Sequence, residues 1–152
     1  MRLALYQPEI PQNTGTLMRT AACLEVGLDI IEPCGFVFSD KHLKRAGMDY
    51  LDLVQIERHN DWAAFNALYQ TKQKARIVLV TTKASVRYAD FSFQPDDVLL
   101  MGSEGAGVPQ NVHDDVDAQI TIPMAENARS LNIAVSAAMV LSEALRQTQS
   151  FP

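Results

Sequence analysis

Residues 120–146, ITIPMAENARSLNIAVSAAMVLSEALR, leave this chain little freedom. A β-branched run, Ile120, Thr121 and Ile122, meets Pro123, which cannot donate to a sheet ladder and so ends a strand. A polar loop, 126–130, follows. Then comes a long helix in which Leu131, Val135, Ala138, Leu141 and Leu145 form one apolar stripe. Ile133, Ala137, Val140 and Ala144 form a second at the same helical spacing. Only the strip through Asn132, Ser136, Glu143 and Gln147 is polar. A helix that is apolar nearly all round has to be covered on two sides. One cover can be its own sheet, and the other calls for a partner subunit. Periodicity alone is equally compatible with a C-terminal core helix behind an incidental polar lead-in.

The rest of the chain alternates in the same way. A strand at 2–6 is closed by Pro8 and Pro11, and 14–26 reads as a helix with Leu17, Ala21 and Leu24 inward. A second strand at 28–31 ends at Pro33 and Gly35. A short helix at 40–46 is capped by Asp40 and stopped by Gly47. A third strand is expected at 53–56, and Asn60 or Asp61 caps a helix carrying Trp62, Phe65, Leu68 and Tyr69. Residues 76–82 and 98–101 are continuous apolar runs, the pattern of parallel strands covered on both faces. Between them Phe91 and Phe93 fold back on the core, and Pro109 opens a short helix at its first position. Strand and helix alternate throughout, so the fold class is α/β with a mostly parallel sheet. At 152 residues a single domain, 1–152, is expected.

Composition removes several functions. No run approaches the roughly 20 apolar residues of a membrane span, and the first residues lack signal-peptide architecture. Cys23 and Cys34 form no CxxC, so reduced thiols and a cytoplasmic location are expected. His42, His59 and His113 read as surface or cap residues without metal-ligand spacing, and no metal is expected. A net charge of −5 argues against a protein that coats nucleic acid non-specifically. A local basic patch remains open, with Lys41, Lys44 and Arg45 clustered and Arg19 and Arg129 near helix starts.

Chemistry-bearing residues gather after predicted strands. GSEGAGVP, 102–109, places three glycines beyond the end of the 98–101 strand. Bare backbone at that position is where open α/β sheets bind ligands. The spacing is neither GxGxxG nor a P-loop. Thr81, Thr82 and Lys83 leave the neighbouring strand, and 122–130 leaves the last one. Three strand ends therefore empty into one crevice, the default binding site. PEIPQNTG, 8–15, leads to Arg19 on the first helix.

Taken together, these stretches resemble the SPOUT superfamily of knotted methyltransferases. Asn13, Gly15 and Arg19 match its first motif, GSEGAGVP its second, and IPMAENARSLNIAVSAAMVLSEALR its third. YQPEIPQNTGTLMR, IIEPCGFVFSDKHLKRAGMDY and VTTK are similar to its minimal TrmL group, tRNA 2′-O-methyltransferases acting on the wobble nucleotide, cytidine or uridine 34. The resemblance implies a deep trefoil knot at the carboxyl end, an exception to the rule that chains do not thread loops. It implies S-adenosylmethionine as co-substrate, held by Val80, Thr81, Met101, Gly102, Glu104, Gly105, Gly107, Ile122, Met124, Ser130 and Leu131. Catalytic roles would fall to Arg19, Asn13, Ser130 and Asn132, with Arg19 supplied by the partner of a homodimer. The substrate would be a tRNA anticodon loop, with Lys41, Lys44, Arg45 and Arg129 on its phosphates. The alternatives are a non-catalytic knotted RNA-binding or assembly protein, and a 2′-O-methyltransferase for another tRNA or rRNA position.

Overall fold

The computed structural model describes residues 1–38 and 54–152. Six parallel strands form one sheet: β1 (Arg2–Tyr6), β2 (Gly27–Ile31), β3 (Ile56–His59), β4 (Ile77–Val80), β5 (Val98–Met101) and β6 (Ala118–Ile120). Their order is β3-β2-β1-β5-β4-β6. The chain builds outward from β1 to β3, then returns to the other side of β1. The carboxyl ends flanking that reversal are where an open α/β sheet leaves a crevice.

Helices cover both faces, which is why β5 is buried at every position. On one face lie α1 (Pro11–Cys23) and α4 (Ile133–Thr148). There Leu17, Met18, Ala21, Val140 and Leu141 share a core with Leu3, Leu5, Leu28 and Ile30. On the other lie α2 (Trp62–Ala67), continued by a π-helical segment at Leu68–Gln73, and α3 (Gln110–Asp115). Trp62, Phe65, Tyr69 and Val112 pack there on Ala4, Ile31, Leu79 and Leu100. Local chemistry sets the helix starts. Asp61 caps α2 by accepting the Ala64 N–H at 2.8 Å. Asn132 caps α4 by accepting from Ala134 at 2.9 Å and Val135 at 3.3 Å. None of the helices among the described residues is long and apolar enough to cross a membrane.

Several boundaries differ from those expected. Pro11 opens α1 rather than closing β1, because its missing N–H costs nothing in a first turn. Pro109 is the residue before α3, and β3 begins at Ile56, where the expected third strand was to end. β6 stops at Ile120, before Pro123. Its end is set by a distant segment: the Thr121 N–H donates to Val86 O at 2.8 Å, and the Tyr88 N–H donates to Thr121 O at 2.9 Å. The helix expected at 40–46, His42 and the cluster Lys41, Lys44, Arg45 lie outside the described residues.

Two histidines read as surface residues are buried. His59 pairs with wholly buried Asp29, Nε2 to Oδ1 at 2.7 Å. The same carboxylate accepts from Arg2 Nε at 2.7 Å and the Tyr69 hydroxyl at 3.0 Å. Burial first, and then the Asp29 charge, push the Tyr69 phenol well above its ordinary range. Asp29, Glu57 and His59 are close enough to hold a cation together. The Arg2 guanidinium, which also reaches to 3.9 Å from Glu57, already supplies the positive charge there. His113, the second, belongs to the site below.

The two apolar stripes of α4 do not divide cleanly into a sheet-facing one and a free one. Ala137, Val140, Leu141, Ala144 and Leu145 face the sheet. The apolar surplus lies in the amino-terminal half, on Val135 and Met139, which are 50% and 36% exposed, with Leu131 just before the helix.

Candidate functional site

A cleft of about 560 Å³ opens beyond the carboxyl ends of β4, β5 and β6. Val80 and Thr81 enter it from β4, Met101 and Gly102 from β5, and Ile122 and Met124 from the segment after β6. Glu104, Gly105 and Gly107 bring in the glycine loop, and Ser130 and Leu131 the lead-in to α4. Asn13, Arg129 and Asn132 also line it. All eleven residues expected to hold a cofactor thus meet in one cavity. Its size is that of a small-molecule site, which runs to roughly 300–1,000 Å³. Of the four expected catalytic residues, Asn13, Ser130 and Asn132 line the cleft. Arg19 is exposed on α1 and is not among the residues lining its own chain's cleft.

The glycine loop is a closed turn. Ser103 N–H donates to Gly107 O at 2.9 Å, and Gly107 N–H to Ser103 O at 3.0 Å. A Cβ on Gly102 would stand 2.8 Å from the Gly107 backbone, so no side chain fits. Gly107 has φ +69°, a left-handed conformation that glycine adopts without strain. These two glycines keep backbone, not side chains, at the cleft wall.

A polar brace joins the three segments around the opening. Glu104 accepts the Glu9 backbone N–H through Oε2 at 2.8 Å and the Asn13 amide through Oε1 at 3.0 Å. Glu9 returns the contact, accepting the Gly105 N–H at 2.8 Å. Asn132 donates to Asn13 Oδ1 at 3.0 Å while its own oxygen caps α4. Glu104, with both oxygens committed, holds loops together rather than removing a proton. Asn13 and Asn132 are likewise engaged with each other.

Sequence reasoning missed two residues here. Glu9 lies in the PEIPQNTG stretch, where nothing local marks it out, and only its contact across the chain to Gly105 gives it a role. His113 lines the cleft and is 8% exposed. Its place in a short amphipathic helix, with Val112 beside it, was the signal available.

The first 142 residues match the model of the SpoU rRNA Methylase family. The chain belongs to that family. A relative from Beijerinckia indica subsp. indica, named tRNA (cytidine(34)-2′-O)-methyltransferase, is 59% identical over 95% of this chain and 90% of its own. A solved structure concerned with the 2-OH methylation of C/U34 on tRNA superposes with a TM-score of 0.87. It is 40% identical, over 96% of this chain and 94% of that one. The SpoU methyltransferase AviRb from Streptomyces viridochromogenes, solved in complex with AdoMet, superposes with a TM-score of 0.86. At 26% identity it is matched over 97% of this chain and 60% of its own. Family membership makes the chain a methyltransferase, and the cavity between its strand ends is where such a family's ligand chemistry has to be sought.

Proposed function

We propose that this protein transfers a methyl group from S-adenosylmethionine to the ribose 2′-oxygen of the wobble nucleotide, cytidine or uridine 34, of a tRNA. The observation that carries the reading is the cleft itself. Its wall joins apolar side chains, Val80, Met101, Ile122 and Met124 among them, and bare glycine backbone to polar groups such as Thr81, Ser130 and Asn132, and Gly102 leaves no room for a Cβ. Such walls suit a nucleoside, which offers flat faces and amide-like edges. The wobble nucleotide as target rests on the relatives that carry that activity in their names.

Met101, Gly102, Ile122, Met124 and Leu131 would hold the adenine and ribose, with Val80 and Thr81 at the neighbouring strand exit. Bound there, S-adenosylmethionine would supply an electrophilic methyl carbon: a C–O bond to the ribose would form as the C–S bond breaks, with the hydroxyl proton passing to solvent water and S-adenosylhomocysteine as the by-product. The chain's task is then alignment of oxygen, carbon and sulfur. Ser130, exposed at the rim of the cleft, would orient the ribose. A guanidinium is effectively always protonated, so Arg19 serves as a fixed cation that orients a phosphate or stabilises developing alkoxide charge. Arg129 at the cleft contacts the RNA backbone. Lys41, Lys44 and Arg45 are the further candidates for phosphate contact.

Two features of the assembly belong to the same reading. The exposed Val135 and Met139, with Ala138, line a groove of about 420 Å³ together with Thr16 and Thr20 of α1. A second copy covers this face in a homodimer, which brings the partner's α1, and with it Arg19, to the cleft. The carboxyl end threads a knot. Supporting this, the crossover after β4 touches the chain on both sides of the loop that follows β6. It pairs with Thr121, and it holds Gln147 of α4 through Phe91 O and the Phe93 N–H, each at 3.0 Å.

The test is incubation with methyl-labelled S-adenosylmethionine and bulk tRNA, followed by mass mapping of the labelled nucleotide. Label on the 2′-oxygen of nucleotide 34 is expected. Label elsewhere moves the target, and binding of RNA without transfer would favour the non-catalytic alternative.

A further inference from the structure

We infer that the buried imidazole of His113 accepts a hydrogen bond from the nucleoside half of S-adenosylmethionine, either from the adenine amine or from a ribose hydroxyl. The inference rests on the reading of the cleft as the cofactor site and adds to it a residue chosen by geometry alone.

His113 lies in α3, among the cleft-lining residues with Leu79 and Val108. Its tautomer follows from its neighbour. Gln119 Nε2 donates to the His113 carbonyl at 2.9 Å, so the amide nitrogen of Gln119 is turned that way. The amide oxygen of Gln119 is then the atom 3.1 Å from His113 Nδ1. An oxygen there can only accept, so Nδ1 carries the proton. In the neutral ring this leaves Nε2 as a bare lone pair. Among the described residues Nε2 has no hydrogen-bond partner.

Among the described residues the buried side-chain polar atom without a partner is Asn66 Oδ1, so the His113 lone pair opens on the cleft, where a ligand that displaces water has to offer it a donor. Leu79 and Val108, both buried hydrocarbon, line the same cleft as His113. A ligand seated against them must be largely flat and apolar with a donor at one edge. Adenosine has that form, presenting one exocyclic amine and two hydroxyls. The methionine ammonium of the same molecule is better matched to the carboxylate of Glu104, which lines the cleft at the glycine loop. The lone pair of His113 therefore selects the nucleoside end, and Gln119 acts as the positioning residue that fixes the tautomer.

The experiment titrates the intact protein with S-adenosylhomocysteine and reads calorimetric affinity together with the ¹⁵N resonances of the His113 ring. The Nε2 resonance should move upfield on saturation while Nδ1 stays. His113→Leu, close in volume, should bind about tenfold more weakly, the value of one buried hydrogen bond. The wild-type spectra stand alone if the variant fails to fold. S-inosylhomocysteine, with an oxo group in place of the amine, identifies the donor. If the variant's penalty vanishes with this analogue, the amine is the partner, and if it persists, a hydroxyl is. Binding of S-adenosylhomocysteine with Nε2 unmoved, or with the same affinity in His113→Leu, overturns the inference alone. No binding to the wild-type protein overturns the cofactor reading beneath it.

Discussion

Asn132 donates from its amide nitrogen to Oδ1 of Asn13 across 3.0 Å, although the two lie 119 positions apart. Asn13 passes its own amide to Glu104 at 3.0 Å, and Asn132 caps α4. One pair of amides thus connects the start of α1, the glycine loop and the start of α4. The two functions of Asn132 separate by substitution. Asn132→Asp keeps the oxygen that caps the helix but sets a carboxylate against the Asn13 oxygen. Its melting temperature should stay close to wild type while affinity for S-adenosylhomocysteine falls. Asn132→Ala loses both and should cost about 1 kcal/mol in urea unfolding, with the same loss of affinity. Equal affinity in Asn132→Asp and wild type would show that the bridge to Asn13 is incidental.

The three loop glycines should not respond alike to alanine. At Gly102 the new Cβ would stand 2.8 Å from backbone atoms of Gly107, which cannot move without opening the Ser103–Gly107 turn. At Gly105 the nearest atom, at 3.0 Å, is the far end of the Glu9 side chain, which can rotate away. At Gly107 nothing lies within 4 Å, and the penalty is the left-handed φ, about 1 kcal/mol. Gly102→Ala should therefore lose most of its S-adenosylhomocysteine affinity by calorimetry. Gly107→Ala should lose stability chiefly, and Gly105→Ala the least of either. A Gly102→Ala variant that binds normally would remove the backbone-wall account.

The glycine loop was readable because its signal is local: a buried run ending at Met101, then residues that no strand or helix tolerates in that density. The Asp61 cap and the fully buried β5 are legible for the same reason. What could not be read depends on partners far along the chain. His59 and His113 look like surface residues until Asp29 and Gln119 are placed beside them. β6 ends at Ile120 because of Val86 and Tyr88, and nothing in its own residues announces that. The two stripes of α4 are equally apolar, so periodicity says that both are covered without saying by what. Packing against Leu3, Leu5 and Leu28 decides it.

Asp29 should matter for stability and not for the site. Its two oxygens receive Arg2, Tyr69 and His59 in the interior, away from the cleft residues. Asp29→Asn leaves a charged guanidinium without its partner and should cost about 3 kcal/mol in urea unfolding. Affinity for S-adenosylhomocysteine should not change under conditions where the variant is folded. The raised Tyr69 phenol adds a pH signature. A group held protonated in the folded state contributes stability that is complete below its unfolded value, about 10. That contribution is lost as pH rises towards the higher folded value. Wild-type stability should thus fall on the alkaline side, and Tyr69→Phe should flatten that limb. An unchanged limb would detach Tyr69 from the effect.

Arg19 gives the sharpest test of the proposed dimer. It is exposed on α1 and is not among the residues lining its own cleft, so the proposed dimer, rather than the single chain, is what brings it to a reacting ribose. Arg19→Ala should therefore bind S-adenosylhomocysteine as wild type does and transfer no methyl group. Gly105→Trp, whose bulky side chain starts against the Glu9 carboxylate and so breaks the brace that shapes the glycine loop, should fail for the opposite reason, with Arg19 intact and cofactor binding lost. Each is expected to be inactive alone. In a dimer built by two-fold symmetry, a mixed pair contains one complete site. That site combines the cleft of the Arg19→Ala chain with the arginine of the Gly105→Trp chain. Random exchange of equal amounts makes half the dimers mixed, so about a quarter of wild-type activity should return. Native mass spectrometry verifies that mixed dimers have formed. If they form and no activity appears, Arg19 does not act across the interface, and its partner has to be sought within its own chain.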